Sequence, residues 1–289
     1  MNNEKQVANQ VPEKTPELPP DEEMGSFWSD YMYTAFEKSS LVSKIFREAY
    51  GHLAPEDAVC PLSFVTNRDL ERCANALGLE PGMNLLDLAC GGGGPGLWIA
   101  RKTGANLVGV DFSAKALEQA SKRASRFGIS ERARYCHASM KTTGLEPATF
   151  DGAVSIDAIW MAPDKLAVLR EVRRLLRPQR WFVFTSWEAR PQEPGNPPTD
   201  GEYRSILKDA GFRIETYEET ADWDRLQRGV YERWLLQQDA LAQEMGICAA
   251  GMLLNEAIWL TTKLTDGTDR LSRSRRIFVA CQSQDPLPV

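Results

Sequence analysis

The segment LLDLACGGGGPGLWIA, from Leu85 to Ala100, constrains this chain more than any other. A short apolar run passes into Cys90, Gly91, Gly92, Gly93, Gly94, Pro95 and Gly96 and then into a helical stretch, so a strand turns through a loop almost without side chains. Such a loop lets a ligand approach the backbone closely, and the helix after it presents free N–H groups. The pattern predicts an α/β fold whose ligand lies beyond the carboxyl ends of parallel strands. Gly91, Gly93 and Gly96 satisfy the GxGxxG spacing of a dinucleotide site, so the glycines alone do not select a cofactor.

From Asn84 onward, short apolar runs alternate with amphipathic stretches, as in a parallel sheet covered by helices. Strands are predicted at Asn84–Leu88, Asn106–Val110, Ala133–His137, Gly152–Ile156, Trp181–Trp187, Arg213–Tyr217 and Arg276–Cys281. Helices are predicted over Gly94–Lys102, Ala114–Phe127, Lys165–Leu176 and Glu202–Ala210. Residues 1–24 are polar and Pro-rich and read as a disordered tail, with order beginning near Phe27. Residues 25–80 read as a helical N-terminal segment or lid, in which Thr66 or Asn67 caps a helix, and 81–220 as the sheet core. Residues 221–270 form a charged helical cap inserted before the last strand, 271–284 hold that strand, and 285–289 are a tail.

Forty acidic against thirty-four basic residues give a net charge of −6, a poor start for wrapping a phosphate backbone, so a nucleic-acid partner is not expected. The six cysteines are scattered without a CxxC pair, and no apolar run has the length of a membrane span or the form of a signal peptide. The reading is a cytoplasmic protein with reduced thiols, no membrane partner, no metal and a small-molecule substrate. Its aromatic-rich N-terminal helices offer a surface for pairing with a second copy.

Two carboxylates narrow the choice of cofactor. Asp87 stands at the exit of the first strand, where its charge repels a pyrophosphate and attracts an ammonium group. Asp111 ends the second strand, about 24 residues on, at the distance usual for an acid that takes both ribose hydroxyls. Asp87 therefore favours a cofactor bearing an amino acid.

With these acids in place, the chain resembles the class I S-adenosylmethionine-dependent methyltransferases, in the branch of quinone, sugar and natural-product enzymes. Asp87, Leu88, Ala89, Cys90, Gly91, Gly92 and Gly93 match the first motif, with Ala89 where the family has glycine. The resemblance implies a Rossmann-like seven-stranded methyltransferase sheet with the last strand antiparallel. It assigns S-adenosyl-L-methionine to Asp87, Ala89, Cys90, Gly91, Gly93, Asp111 and Phe112, the last packing on adenine. It adds Ser139 in place of the family's adenine-binding Asp, Met140 through its backbone N–H, and Ile156 at the end of the fourth strand.

The acceptor is expected beside the loop DAIWMAPD, roofed by the N-terminal helices and the cap. Some relatives carry histidine bases at the positions of Trp160 and Met161; here an aromatic and a thioether make an apolar wall. With Glu188 they are the substrate-binding candidates. Tyr31 and Tyr33 resemble the N-terminal tyrosines with which relatives close over the cofactor, set against an aromatic stripe packing on the core. His137 is a candidate at the adenine edge, set against a structural role, and Asp157 a candidate ligand contact, set against a helix cap. The function expected is methylation of a specialised metabolite with an apolar or aromatic part, at carbon or oxygen before nitrogen. The alternatives are a cyclisation or rearrangement guided by the bound sulfonium, an NAD-dependent oxidoreductase, and a non-catalytic binding module.

Overall fold

Alternation along the strands sorts the core into two layers. Leu85, Leu107, Val183, Ile277 and Val279 face one side of the sheet. Leu86, Leu88, Val108, Val110, Phe182, Phe184 and Phe278 face the other. The computed structural model describes residues 17–55, 63–189, 202–263, 265, 267, 271 and 273–282. Most of the predicted N-terminal tail, the Pro/Gly loop after the fifth strand and the C-terminal tail lie outside the described residues.

The strands are β1 (Asn84–Leu88), β2 (Asn106–Asp111), β3 (Ala133–His137), β4 (Phe150–Ile156), β5 (Leu176–Ala189), β6 (Phe212–Glu219) and β7 (Arg273–Gln282). They form one seven-stranded sheet in the order β3-β2-β1-β4-β5-β7-β6. β7 runs antiparallel to both β5 and β6, and the other neighbours are parallel. This is the Rossmann-like methyltransferase topology, and every strand read from the sequence is present. The reversal between β1 and β4 opens a crevice at the carboxyl end of β1, where the glycine loop emerges.

One face is covered by α3 (Asn67–Leu77), α4 (Gly94–Thr103) and α5 (Ala114–Arg126), the other by α6 (Lys165–Leu175) and α7 (Glu202–Asp209). Thr66 is the N-cap of α3: its side chain accepts from Asp69 N, and the Asp69 carboxylate accepts from Thr66 N. On the α6 side, the stacked rings of Phe184 and Phe278, 4.4 Å apart, weld β5 to β7.

A third cluster of buried apolar residues lies above the sheet's carboxyl edge. It joins α1 (Pro20–Lys38) and α2 (Ser40–Tyr50) to the cap helices α8 (Trp223–Leu236), α9 (Gln238–Met245) and α10 (Ile247–Ile258). α1 starts at Pro20, well before Phe27, which corrects the expected onset of order. Proline is suited to a helix's first turn, and Asp30 fastens the helix to the core by accepting from Ser113 Oγ at 2.6 Å and Lys115 N at 3.0 Å. The helical stretch after Phe27 is also broken at Ser39, whose hydroxyl caps α2 through Val42 N. Among the described residues no helix is long and apolar enough to cross a membrane.

Candidate functional site

The loop after β1 is held from below by Asp87 and from behind by Asp111. Asp87 is buried, and a Cβ on Gly96 would stand 2.2 Å from its Oδ2, so only glycine lets α4 begin this close to the carboxylate. Asp87 Oδ2 is buried with no hydrogen-bond partner among the described residues, while the Gly96 backbone N–H acts on the carboxyl and favours its charged form. Burial, with the negative Asp111 nearby, pushes the Asp87 carboxyl up to about 8. Asp111 Oδ2 accepts from Gly91 N at 2.8 Å and Oδ1 from Ser113 N at 2.9 Å, leaving lone pairs on both oxygens. Burial raises this carboxyl to about 6 against those two donors and the charge of His137. Ala89 has φ 57°, a left-handed conformation that an alanine adopts at a steric cost of about 1–2 kcal/mol.

These groups open onto a cavity of about 410 Å³. Of the residues assigned to a cofactor, Asp87, Ala89, Cys90, Gly91, Asp111, Phe112, Met140 and Ile156 line it. Tyr33 also lines it, and its hydroxyl lies 2.2 Å from where a Cβ on Gly91 would stand, so α1 covers the loop directly. Met161, Ala162, Pro163, Val168 and Met252 give the far end an apolar lining, continued by Trp28 and Met32 of α1.

Several assigned residues lie elsewhere. Gly93 does not line the cavity; it packs against Ala120, 2.9 Å from where its Cβ would be. Ser139 is buried beneath the cavity, where its hydroxyl accepts from Lys141 N at 3.1 Å and donates to Glu22 Oε1 at 2.9 Å. Tyr31 packs edge-on to Trp28, within the roof rather than over the loop. His137 Nε2 lies 2.8 Å from the Phe112 carbonyl oxygen, which Ser26 Oγ also engages at 2.7 Å; the imidazole positions that turn and does not face the cavity.

Asp157 borders the cavity but caps no helix. Its carboxylate accepts from Thr185 Oγ1 at 2.7 Å, Ser63 Oγ at 2.8 Å and Phe64 N at 3.0 Å, and pairs with Arg275 Nε at 2.8 Å. A carboxylate with four donors has little capacity left for a ligand. Trp160 turns its indole N–H to the Asp157 carbonyl at 2.8 Å and is exposed outside the cavity, so Met161 alone of the pair forms the wall. Glu188 is buried against Tyr217 Oη and Arg276, away from the cavity.

The sequence reading missed Glu22, Gly25, Ser63, Lys141 and Met252 as cavity residues. Glu22 and Gly25 flank the boundary drawn between tail and lid, and Met252 lies in a cap read as a charged face. None follows a local motif, so only the fold reveals them.

Comparison with known proteins bears on the family and the fold. Residues 85–179 match the family described as methyltransferase domain. The methyltransferase GfsG of Streptomyces halstedii is 33% identical over 129 residues, which cover 45% of this chain and 46% of that protein. The 27-O-demethylrifamycin SV methyltransferase of Amycolatopsis mediterranei is 26% identical over 210 residues, covering 67% and 76%. Among solved structures, the [4+2]-cyclase SpnF superposes with a TM-score of 0.69 at 18% identity, over 94% of this chain and 99% of that one. The chain spans about half or less of the length of the curated methyltransferases GfsG and phqN, the latter of Penicillium fellutanum.

Proposed function

We propose, from the premise that this chain is built on a class I S-adenosylmethionine-dependent methyltransferase domain, that it methylates a small-molecule acceptor with an apolar or aromatic part. The observation that carries the reading is Asp87 Oδ2, a buried acceptor at the wall of the cavity without a hydrogen-bond partner among the described residues. A buried carboxylate without a counter-charge is costly, and an ammonium group is a ligand that relieves it. Asp111 keeps lone pairs for two hydroxyls, Phe112 offers a ring face and Met140 lines the same cavity, and Gly91 leaves room for the chain between them. These residues fit S-adenosylmethionine, whose amino-acid end belongs at Asp87 and whose ribose belongs at Asp111.

When bound, the cofactor supplies a sulfonium methyl that passes to the acceptor's nucleophile while the S–C electron pair stays on sulfur. The chain's own part is positioning and exclusion of water. Tyr33, Met32 and Trp28 cover the cavity from α1, and Met161 and Met252 bound its apolar end. Asp157, the carboxylate just after β4, has its oxygens taken up by Arg275 Nε, Thr185 Oγ1, Ser63 Oγ and Phe64 N and presents little open oxygen to an acceptor. An acceptor that needs little deprotonation therefore suits the site, which favours an activated carbon or an acidic hydroxyl over an amine. The engagement of Asp157 favours one second reading, in which the bound sulfonium guides a rearrangement without losing its methyl.

Calorimetric titration with S-adenosylmethionine and, separately, with NAD tests the cofactor. Micromolar binding of the first alone, lost in Asp87→Ala and Asp111→Ala, is the expected result; binding of NAD, or of neither, would overturn it. Turnover on an acceptor panel then separates the two readings. Methyl transfer releases S-adenosylhomocysteine in step with product, whereas a rearrangement yields product with the cofactor intact.

A further inference from the structure

We propose that Glu22, on the N-terminal helix, supplies the carboxylate that recognises the cofactor's adenine amino group, a role the core of this chain has given up. The proposal rests on the reading that the cavity takes S-adenosylmethionine, and it concerns the end of the cavity opposite the apolar wall.

Ser139 occupies the position after β3 at which an acid would serve this purpose, but its hydroxyl is already engaged. It accepts from Lys141 N and donates its single proton to Glu22 Oε1 at 2.9 Å. The carboxylate at this end of the cavity therefore comes from α1. Glu22 lines the cavity together with Gly25, Phe112 and Met140, and its side chain is only 12% exposed. Lys141 Nζ, 3.5 Å from Oε1, keeps a positive charge beside it. Its other oxygen, Oε2, is buried and has no hydrogen-bond partner among the described residues.

A buried carboxylate oxygen left unsatisfied is held at a cost, and in a site it marks the place of a missing donor. The groups around it narrow what that donor belongs to. Phe112 offers a ring face, and Ser26 and Gly25 seat α1 on this residue: Ser26 Oγ donates to Phe112 O at 2.7 Å, and a Cβ on Gly25 would stand 3.2 Å from the ring. A flat heterocycle stacked on Phe112 with an exocyclic amino group satisfies Oε2. The same heterocycle with a carbonyl there would place acceptor against acceptor. Adenine recognition and closure of the N-terminal helix then become one event, because the acid that reads the base is part of the roof.

The test measures binding of S-adenosylmethionine and of its hypoxanthine counterpart, S-inosylmethionine, to the full chain by calorimetry. The wild type is expected to prefer the adenine form by about tenfold or more, the range for a charge-assisted hydrogen bond. In Glu22→Ala the adenine form should weaken while the hypoxanthine form, relieved of the acceptor facing its carbonyl, holds or gains affinity, so that the preference disappears and the retained hypoxanthine binding reports an intact site. Adding Ser139→Asp to that variant should restore the preference from the core side. A Glu22→Ala variant that discriminates as the wild type does, or that loses both ligands equally, would overturn the proposal. A wild type that binds neither ligand would instead refute the cofactor reading beneath it.

Discussion

At the scale of single residues, Asp87 is the group most open to measurement. Its folded-state pKa of about 8 lies above the ordinary value of 3.8, so the unliganded protein holds a proton there at pH 7 that the unfolded chain does not. That protonation contributes stability fully present below about pH 4 and lost as pH rises through about 8, so the unliganded melting temperature should fall over this interval. An ammonium ligand favours the ionised form, so binding should release a proton, and affinity should rise with pH up to about 8 by at most about tenfold per unit. Titrations at pH 7 in phosphate and in Tris should then give different apparent enthalpies, and Asp87→Asn should remove the difference; identical enthalpies for the wild type would sink the assignment. Asp87, Asp111 and Phe112 were legible in the sequence because the strand and turn that place them are local. The surroundings of Ser139, Asp157 and Glu188 were not legible because their partners arrive from distant parts of the chain: Glu22 for the first, Arg275 for the second, Tyr217 and Arg276 for the third.

At the scale of elements, one buried cation joins three of them. Arg275 on β7 is fully buried; it pairs with Asp157 after β4 at 2.8 Å and with Asp69 of α3 at 2.9 Å, and it reaches Thr220 Oγ1 at 3.2 Å. Asp69 is also half of the capping box that starts α3, so the same carboxylate begins a helix and ties it to the sheet. Arg275→Leu removes the cation and leaves two buried acids facing each other, a change of the kind that costs about 3–5 kcal/mol. A urea midpoint lowered by that free energy divided by the slope of the unfolding curve is expected; a loss of stability under about 1 kcal/mol would mean that water reaches the network. The strands and helices themselves were foreseen, since hydrophobic period and the Gly/Pro punctuation set them. Arg275 was not, because it falls just before the strand read over Arg276–Cys281 and its partners Asp157 and Asp69 come from distant parts of the chain.

At the scale of the whole molecule, the apolar cluster of α1, α2, α8, α9 and α10 is separate from the two clusters that sandwich the sheet. The cavity lies at the boundary, with the sheet contributing Asp87, Asp111 and Ile156 and the roof contributing Tyr33, Met32 and Met252. A cofactor between two packed bodies has to part them to enter, and the thinner attachment yields first. α1 is held to the core by polar contacts at its surface, such as Gln119 Nε2 with the Tyr33 carbonyl at 2.8 Å and Lys115 with Glu37 at 2.8 Å, whereas β1 and β4 are wholly buried. Opening of the roof therefore leaves the sheet folded, the sub-global unfolding that hydrogen exchange detects. Saturation with S-adenosylmethionine at about a hundred times its dissociation constant adds about 2.7 kcal/mol to the closed state, enough to slow exchange from the open roof about a hundredfold. Amides of α1 and the Gly91–Gly96 loop should show that protection, and those of β1, β4 and β5 should change little unless they exchange only by global unfolding. Uniform protection of roof and sheet would mean that the two bodies open as one, and the cofactor would then have to enter through the apolar mouth between Met161 and Met252.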